Sequence, residues 1–284
     1  MLSRLVLLFI LAGLTACGNS VQQAFAPDPL LLPSAAAVPE PIVSPSTEMP
    51  PAIISSPTTS PEATIVTPSP SSNNKYLTEL SELGVLSPTE TQQPLGSIVH
   101  RREYARWLLA AHNKIYQANP SQQLKLATAD TPASFTDVPA NHPDFIAIQS
   151  LANAGIIPSA LSGSNTAAAF QPDLPLTREE LISWKVPLDN RQALPSASVA
   201  VVQKNWGFQD TAKISPAMLS SVLADYQNGD KSNIRRAFGY TTLFQPQKPV
   251  TLAEALSTIW YFGTNNGRSA HDVIINTSSP SPSS

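Results

Sequence analysis

Histidines and neighbouring glutamates are the residues of this chain that could support catalysis or bind a metal ion. The sequence contains four histidines, namely His100, His112, His142 and His271. None belongs to an HExxH motif or to a pair with metal-ligand spacing. Glu179 and Glu180 are adjacent on a predicted helix, so their carboxylates point in different directions and are wrongly placed to act on one bond. The sequence therefore predicts a protein that is not an enzyme and that uses no cofactor or metal ion.

The N-terminus has the pattern of an export signal that ends at a modifiable cysteine. Arg4 supplies one positive charge, and the apolar run from Leu5 to Ala12 is shorter than the roughly 20 residues that a membrane-spanning helix needs. Cys17 follows Leu14-Thr15-Ala16 and is the only cysteine in the chain, so an internal disulfide is excluded. The alternative is an ordinary cleaved signal followed by a chance cysteine.

The segment that ends at Cys17 resembles the lipobox of bacterial lipoproteins. The resemblance implies that residues 1–16 are removed as a signal peptide and that acyl chains on Cys17 anchor the protein to a membrane. Gly18 stands where the lipoprotein sorting pattern would place Asp for retention in the inner membrane. The implied location is therefore the cell envelope, lipid-anchored in the outer membrane and facing the periplasm.

Residues 17–74 have the composition of a disordered linker. Twelve prolines lie between Pro27 and Pro70, and each removes a backbone donor and fixes φ. The expected reach of this linker runs from about 40 Å as a flexible coil to about 170 Å as polyproline II. We also expect a disordered tail over residues 266–284. The formal net charge of −3 arises from residues 1–74, so the remaining module is neutral and is unsuited to binding nucleic acid.

An internal repeat organises the module. The segments Val99–Trp107, Leu176–Trp184 and Val250–Thr258 align, and their glutamates are 77 and 74 residues apart. Two further motifs recur at a similar period. Phe135-Thr136-Asp137 returns as Phe208-Gln209-Asp210, and Phe170-Gln171-Pro172 returns as Phe244-Gln245-Pro246. Similarity at a fixed period indicates repeated units that bury their faces on one another.

Local chemistry predicts that each unit is a pair of helices. Thr177 and Glu180 have the spacing of a capping box, as do Thr251 and Glu254, while His100 is a weaker cap. We predict that these glutamates serve as caps. Further helix starts are expected in the segments Tyr76-Leu77, His142-Pro143 and Ser215-Pro216. Trp107 and Trp184 lie on apolar helix faces and are predicted to belong to the core.

Four of these motifs together resemble the S-layer homology family. In the second unit they are Phe135-Thr136-Asp137-Val138, Gly155-Ile156-Ile157, Phe170-Gln171-Pro172 and Thr177-Arg178-Glu179-Glu180. The long loops resemble those of cyanobacterial members. The resemblance implies a mainly α fold of three helix–loop–helix repeats in a pseudo-threefold bundle. The expected repeats cover residues 75–134, 135–205 and 206–265, the last one degenerate.

The resemblance also implies a site for cell-wall polysaccharide, often a pyruvylated one. An arginine fork matches the carboxylate of a pyruvate ketal. The implied glycan-binding residues are Arg178, Arg101, Asp137, Asp210 and Thr177. Leu252 replaces the arginine in the third unit and puts a third site in doubt. Simpler alternatives are surface ion pairs for the arginines and a helix cap for Asp137.

These observations together predict a non-catalytic tether between a membrane and peptidoglycan-linked polysaccharide. A periplasmic scaffold lipoprotein that binds a protein partner is the first alternative. A cell-wall-modifying enzyme whose carboxylates are brought together by the fold is the second. The sequence favours no particular oligomeric state.

Overall fold

The computed structural model describes residues 70–163 and 168–278 of the chain, and this part is mainly helical, as predicted. Its α-helices are α1 (Pro70–Glu82), α2 (Arg101–Ile115), α3 (Phe145–Asn153), α4 (Arg178–Asn190), α5 (Val199–Trp206), α6 (Leu219–Gln227), α7 (Asn233–Phe238), α8 (Leu252–Ile259) and α9 (Ala270–Ser278). A two-stranded antiparallel sheet pairs β1 (Tyr261–Phe262) with β2 (Arg268–Ser269). The predicted signal peptide, Cys17 and the linker up to residue 69 lie outside the described residues.

Capping boxes start three of these helices where the sequence predicts them. In α4, the Glu180 carboxylate accepts a hydrogen bond from Thr177 N at 2.9 Å, and Thr177 Oγ1 accepts from Glu180 N at 3.4 Å. Helix α8 begins with the same reciprocal bonds between Thr251 and Glu254. These caps satisfy backbone donors that the first helical turn leaves free.

The residues just before α2, α4 and α8 meet in a closed ring of backbone hydrogen bonds. Val99 N donates to Val250 O at 3.0 Å, Leu176 N donates to Val99 O at 2.9 Å, and Val250 N donates to Leu176 O at 2.9 Å. All three side chains are buried. The ring satisfies buried polar groups and fixes the first turns of the three helices beside one another.

Large aromatic side chains fill the core. Trp107 and Trp184 are 0% and 1% exposed, so the prediction that they belong to the core is confirmed. Phe170 packs between Phe135 and Trp184, with ring centroids 5.5 Å and 5.8 Å apart. Replacing a buried tryptophan by alanine typically costs about 3 to 5 kcal/mol, so these rings are major contributors to stability.

A buried polar network joins α4 to α6 and α7. Lys185 is fully buried and forms an ion pair with Asp189, whose other oxygen accepts from Asn233 Nδ2 at 2.8 Å. Asn233 Nδ2 also donates to Asp225 at 2.9 Å. Burial lowers the pKa of Lys185 to about 8, and Asp189 opposes that shift. Each buried charged group of this network therefore has a charged or hydrogen-bonding partner, which offsets the free-energy cost of removing the charge from water.

The structure differs from the predicted boundaries at both ends of the module. Pro70 to Asn74 form the start of α1 and not the end of a linker, because proline is tolerated in the first helical turn. The predicted disorder of residues 266–284 is wrong as far as residue 278. Ser269 and Asp272 form a reciprocal cap on α9, with Ser269 N donating to the carboxylate at 2.7 Å.

Two predicted helix starts are displaced by a few residues. Helix α3 begins at Phe145, because His142 and its neighbours form a turn in which Phe145 N donates to His142 O at 3.0 Å. The proline at position 216 begins a short 3₁₀ turn that leads into α6 at Leu219. No helix within the described ranges has the length and apolar character that crossing a membrane requires.

Candidate functional site

Two turns of identical sequence form the centre of the candidate site. We call Phe170-Gln171-Pro172 the Phe170 turn and Phe244-Gln245-Pro246 the Phe244 turn. Asp137 Oδ1 accepts from Phe170 N at 2.8 Å, and its Oδ2 accepts from Gln171 N at 2.6 Å. Asp210 binds the Phe244 turn in the same way, at 2.9 Å and 2.7 Å. Each predicted site aspartate therefore holds a turn through two backbone amides, and neither caps a helix.

The aspartates hold residues in an unfavourable backbone conformation. Gln171 and Gln245 have φ values of +57° and +55°, in the left-handed region. A side chain with a Cβ atom loses roughly 1 kcal/mol or more there. Two hydrogen bonds to an ionised acceptor contribute more than this cost, so the carboxylates stabilise the turns.

Arg101 holds the Phe170 turn from its carbonyl side. Its Nε donates to Phe170 O at 2.8 Å, and its Nη1 forms an ion pair with Glu180 Oε1. Its guanidinium carbon lies 4.8 Å from the ring centroid of Phe170 and 5.2 Å from that of Trp184. Burial lowers the pKa of Arg101 to about 10, and nearby Asp137 opposes the shift. The guanidinium is therefore positively charged at neutral pH.

Arg178 makes the equivalent contacts with the Phe244 turn. Its Nη1 donates to Phe244 O at 3.2 Å, and its Nη2 donates to Glu254 Oε1 at 2.7 Å. The guanidinium carbon lies 4.1 Å from the Phe238 ring centroid. Its Nε is buried without a hydrogen-bond partner among the described residues. Arg178 is thus tightly enclosed by protein groups.

The two arginines differ in their access to solvent. The side chain of Arg101 is 15% exposed, whereas that of Arg178 is 7% exposed. Nη2 of Arg101 has no hydrogen-bond partner in the part of the chain that the structure describes. The Phe170 turn therefore offers a ligand a partly open guanidinium, and the Phe244 turn does not.

The third helix start lacks this arrangement. Leu252 takes the position of the arginines and is fully buried. Glu103 uses Oε2 to accept from His100 N at 2.8 Å and contacts His100 Nδ1 at 2.9 Å. No arginine pairs with Glu103 within the described ranges. This agrees with the sequence-based doubt about a third site.

The five predicted site residues thus lie in two clusters. The Phe170 cluster comprises Arg101, Asp137, Glu180 and Thr177 around the Phe170 turn, where the Thr177 hydroxyl donates to Glu180 Oε2 at 2.9 Å. The Phe244 cluster comprises Arg178, Asp210 and Glu254 around the Phe244 turn. In both, the arginine of one unit reaches the turn and the glutamate of the next. The local sequence gives no sign of this second role of the glutamates, because each glutamate and its arginine are far apart in the chain.

Exposed polar groups border the Phe170 cluster. Arg102 Nε lies 3.2 Å from Asp173 Oδ1, and the two side chains are 40% and 75% exposed. Thr136 and Gln171 are exposed as well. Such a border offers donors and acceptors suited to hydroxyl-rich ligands. The described residues contain no group of three or more His, Cys, Asp or Glu side chains placed to hold a metal ion.

Comparison with known families supports this description. The family model of the S-layer homology domain matches residues 134–182 and confirms the resemblance seen in the motifs. The matched segment contains the Phe170 turn together with Asp137, Thr177 and Glu180 of its cluster. No curated protein matches the chain at a significant level.

Proposed function

Residues 134–182 belong to the S-layer homology domain family, and we propose from this that the protein is a non-catalytic tether to a cell-envelope polysaccharide. S-layer homology domains are binding domains for cell-wall polymers, so the match indicates envelope association in general. The family match is the observation that carries the proposal.

We propose that the module consists of three related units, over residues 75–134, 135–205 and 206–265. The Asp210 contacts with the Phe244 turn repeat those of Asp137 with the Phe170 turn, which supports a second copy of the matched domain. The closed hydrogen-bond ring through Val99, Leu176 and Val250 supports a pseudo-threefold arrangement.

The Phe170 cluster is the proposed glycan site, with Arg101 as its principal contact. Its free Nη2 fits one oxygen of a sugar carboxylate, such as that of a pyruvate ketal. Asp137 and Thr177 hold the surrounding backbone. Arg178 and Asp210 hold the Phe244 turn in the same way, and their lower exposure gives them a smaller direct role.

We propose that acylated Cys17 anchors this module to the outer membrane and that the proline-rich segment up to residue 69 serves as the spacer. The lipobox-like sequence before Cys17 supports the anchor. Growth with a labelled fatty acid tests it directly. The label is expected on the wild-type protein and absent from Cys17→Ser, and a labelled Cys17→Ser protein would contradict the proposal.

Sedimentation with purified wall sacculi tests glycan binding. The full chain with Cys17→Ser provides a soluble form, and mild acid treatment of the sacculi removes ketal pyruvate. Binding is expected to fall after acid treatment and to fall more with Arg101→Gln than with Arg178→Gln, once both variants are shown to be folded. Binding unaffected by acid and by Arg101→Gln would overturn the assignment of the Phe170 cluster. Absence of any binding would overturn the tether proposal.

A groove between α2 and α3 favours the protein scaffold as a second candidate function. It has a volume of about 930 Å³ and is lined by Leu126 and Ile146, which are 55% and 47% exposed. Exposed aliphatic side chains in a groove are typical of protein-binding surfaces. If this function holds, Ile146→Lys abolishes cross-linking to a periplasmic partner and leaves sedimentation with sacculi unchanged.

A further inference from the structure

A separate cavity lined by aromatic side chains lies between α5, α6 and α7. None of its lining residues belongs to the Phe170 cluster or the Phe244 cluster. Its volume is about 330 Å³, at the small end of the range for ligand pockets. The lining residues that matter here are Asn205, Trp206, Tyr226, Arg235, Tyr240 and Thr242. We call it the Arg235 cavity.

The aromatic wall of this cavity is held in a fixed position. Trp206 Nε1 donates to Val222 O at 2.8 Å, which sets the orientation of the indole. The Trp206 ring stacks on Phe208 with centroids 5.0 Å apart and meets the Tyr226 ring edge-on at 5.2 Å. A wall whose rings are already packed loses little conformational entropy when a ligand binds.

Arg235 is the charged group of the cavity. Its guanidinium carbon lies 5.4 Å from the ring centroid of Trp206, 5.6 Å from that of Tyr226 and 5.9 Å from that of Tyr240. Cation–π contacts of this kind attract the guanidinium without using its N–H groups as hydrogen-bond donors.

The charge of Arg235 is not neutralised by the described part of the protein. Among the described residues, no carboxylate lies within ion-pair distance of its guanidinium, and none accepts a hydrogen bond from it. Arg101 and Arg178, by contrast, each pair with a glutamate. The Arg235 cavity therefore offers an uncompensated positive charge to an incoming anion.

The remaining lining groups suit a sugar ring. Tyr240 is 74% exposed and presents a ring face, whose negative quadrupole attracts the C–H groups of a pyranose. Asn205 donates its amide to Val201 O at 2.8 Å, which leaves its Oδ1 as an acceptor for a sugar hydroxyl. The Thr242 side chain is exposed at the rim and supplies a further hydroxyl.

We propose that the Arg235 cavity binds one carboxylate-bearing sugar residue, with Arg235 holding the carboxylate and Tyr240 stacking on the pyranose ring. This inference rests on the proposed function only in taking the ligand to be a glycan. It assigns a second point of attachment, so one polysaccharide chain could contact the module at two places. Two linked contacts raise the overall affinity without any new interaction at either one.

Titration calorimetry of the full chain carrying Cys17→Ser and Arg101→Gln, the latter removing the proposed carboxylate contact of the Phe170 cluster, tests the proposal. The probes are D-glucuronate, a methyl glycoside bearing a pyruvate ketal, and neutral methyl glucoside. At least one acidic probe is expected to bind, and methyl glucoside at least tenfold more weakly. Arg235→Gln is expected to weaken acid binding about tenfold or more, because a charge-assisted pair is lost. Tyr240→Ala, at a largely exposed position that folding tolerates, is expected to weaken it severalfold.

The matched control is Arg268→Gln, which removes the same charge outside the cavity and should leave binding unchanged. Failure of both acids to bind overturns the cavity site, as does equal binding of the neutral glycoside. An equal loss with Arg268→Gln would reduce the effect to net charge and also overturn it. Sedimentation with sacculi is measured separately. Wild-type protein that binds the acidic sugar but does not sediment would refute the tether while leaving the cavity assignment intact.

Discussion

Arg178 in α4 and Glu254 in α8 form an ion pair with 2.7 Å between Nη2 and Oε1, although 76 residues separate them in the chain. The other oxygen of Glu254 accepts from Thr251 N at 2.8 Å. One carboxylate therefore caps the start of α8 and holds α4 beside it. Glu180 combines the same two roles with Thr177 and Arg101.

This dual role makes the buried pair important for stability. Arg178→Ala is expected to lower the free energy of unfolding by about 3 kcal/mol, because the Glu254 carboxylate and the Phe244 carbonyl both lose a buried donor. The matched control is Arg102→Ala, whose ion pair with Asp173 is exposed and contributes less than about 1 kcal/mol. Urea unfolding of both variants measures the difference. Equal losses would contradict a structural role for the Arg178 pair.

The left-handed conformation of Gln171 predicts a stabilising substitution. Gln171→Gly is expected to raise the free energy of unfolding by about 0.5 to 1 kcal/mol, because glycine adopts φ near +57° without steric cost and the Gln171 side chain is exposed. The control is Gln203→Gly on the exposed face of α5, where glycine is expected to cost about 1 kcal/mol. Chemical denaturation of the two variants and the wild type measures both changes in the free energy of unfolding. A loss of stability with Gln171→Gly would show that the Gln171 side chain holds the turn.

Local motifs in the sequence predicted the starts of the three helices that have capping boxes. They also predicted that Trp107 and Trp184 belong to the core. Thr177 and Glu180 are only three positions apart and their hydrogen bonds are local, so the sequence is sufficient to identify this pattern. Helix α9 was missed, although Ser269 and Asp272 form the same kind of pattern. The Ser- and Pro-rich sequence that follows α9 favours disorder, and it outweighed the capping pattern of Ser269 and Asp272 in the prediction.

The candidate site was predicted in its residue types but not in its pairings. The sequence named Arg101 and Asp137 but gave no indication that Arg101 would reach Glu180 of the following unit. Contacts of this length depend on how the units pack, and no local propensity encodes them. The Arg235 cavity could not be predicted for the same reason, because it forms where α5, α6 and α7 pack together.

Helix α9 is expected to contribute to the stability of the module. Val273→Ala should lower the free energy of unfolding by roughly 2 kcal/mol, because Val273 is 6% exposed and two buried methyl groups are removed. Ile275→Ala on the same helix, at a side chain that is 47% exposed, should cost clearly less. Denaturant unfolding compares the two. Equal small effects would indicate that α9 is not packed against the core in solution.

His112 is expected to make the stability of the protein sensitive to mild acid. Its Nε2 lies 3.2 Å from Arg191 Nη2, and since arginine has no acceptor, Nε2 must accept that hydrogen bond. Its Nδ1 lies 3.2 Å from Asn113 Oδ1 and carries the ring proton. The folded structure therefore requires the neutral imidazole. Burial lowers the pKa of His112 to about 4 from 6.5, with Asn113 opposing that shift and the nearby positive charge of Arg191 adding to it.

Because the pKa of His112 is lower in the folded than in the unfolded state, the unfolded chain binds more protons between pH 6.5 and pH 4. Stability is then fully present above pH 6.5 and decreases as the pH falls through this window. Between pH 7 and pH 5 the expected loss of stability due to His112 is about 2 kcal/mol.

Urea unfolding at pH 7 and at pH 5 measures this loss of stability. His112→Gln keeps a polar side chain but does not titrate, so its loss of stability over this interval should be smaller by that amount. The same pH dependence in His112→Gln and wild type would show that His112 is not held neutral by burial.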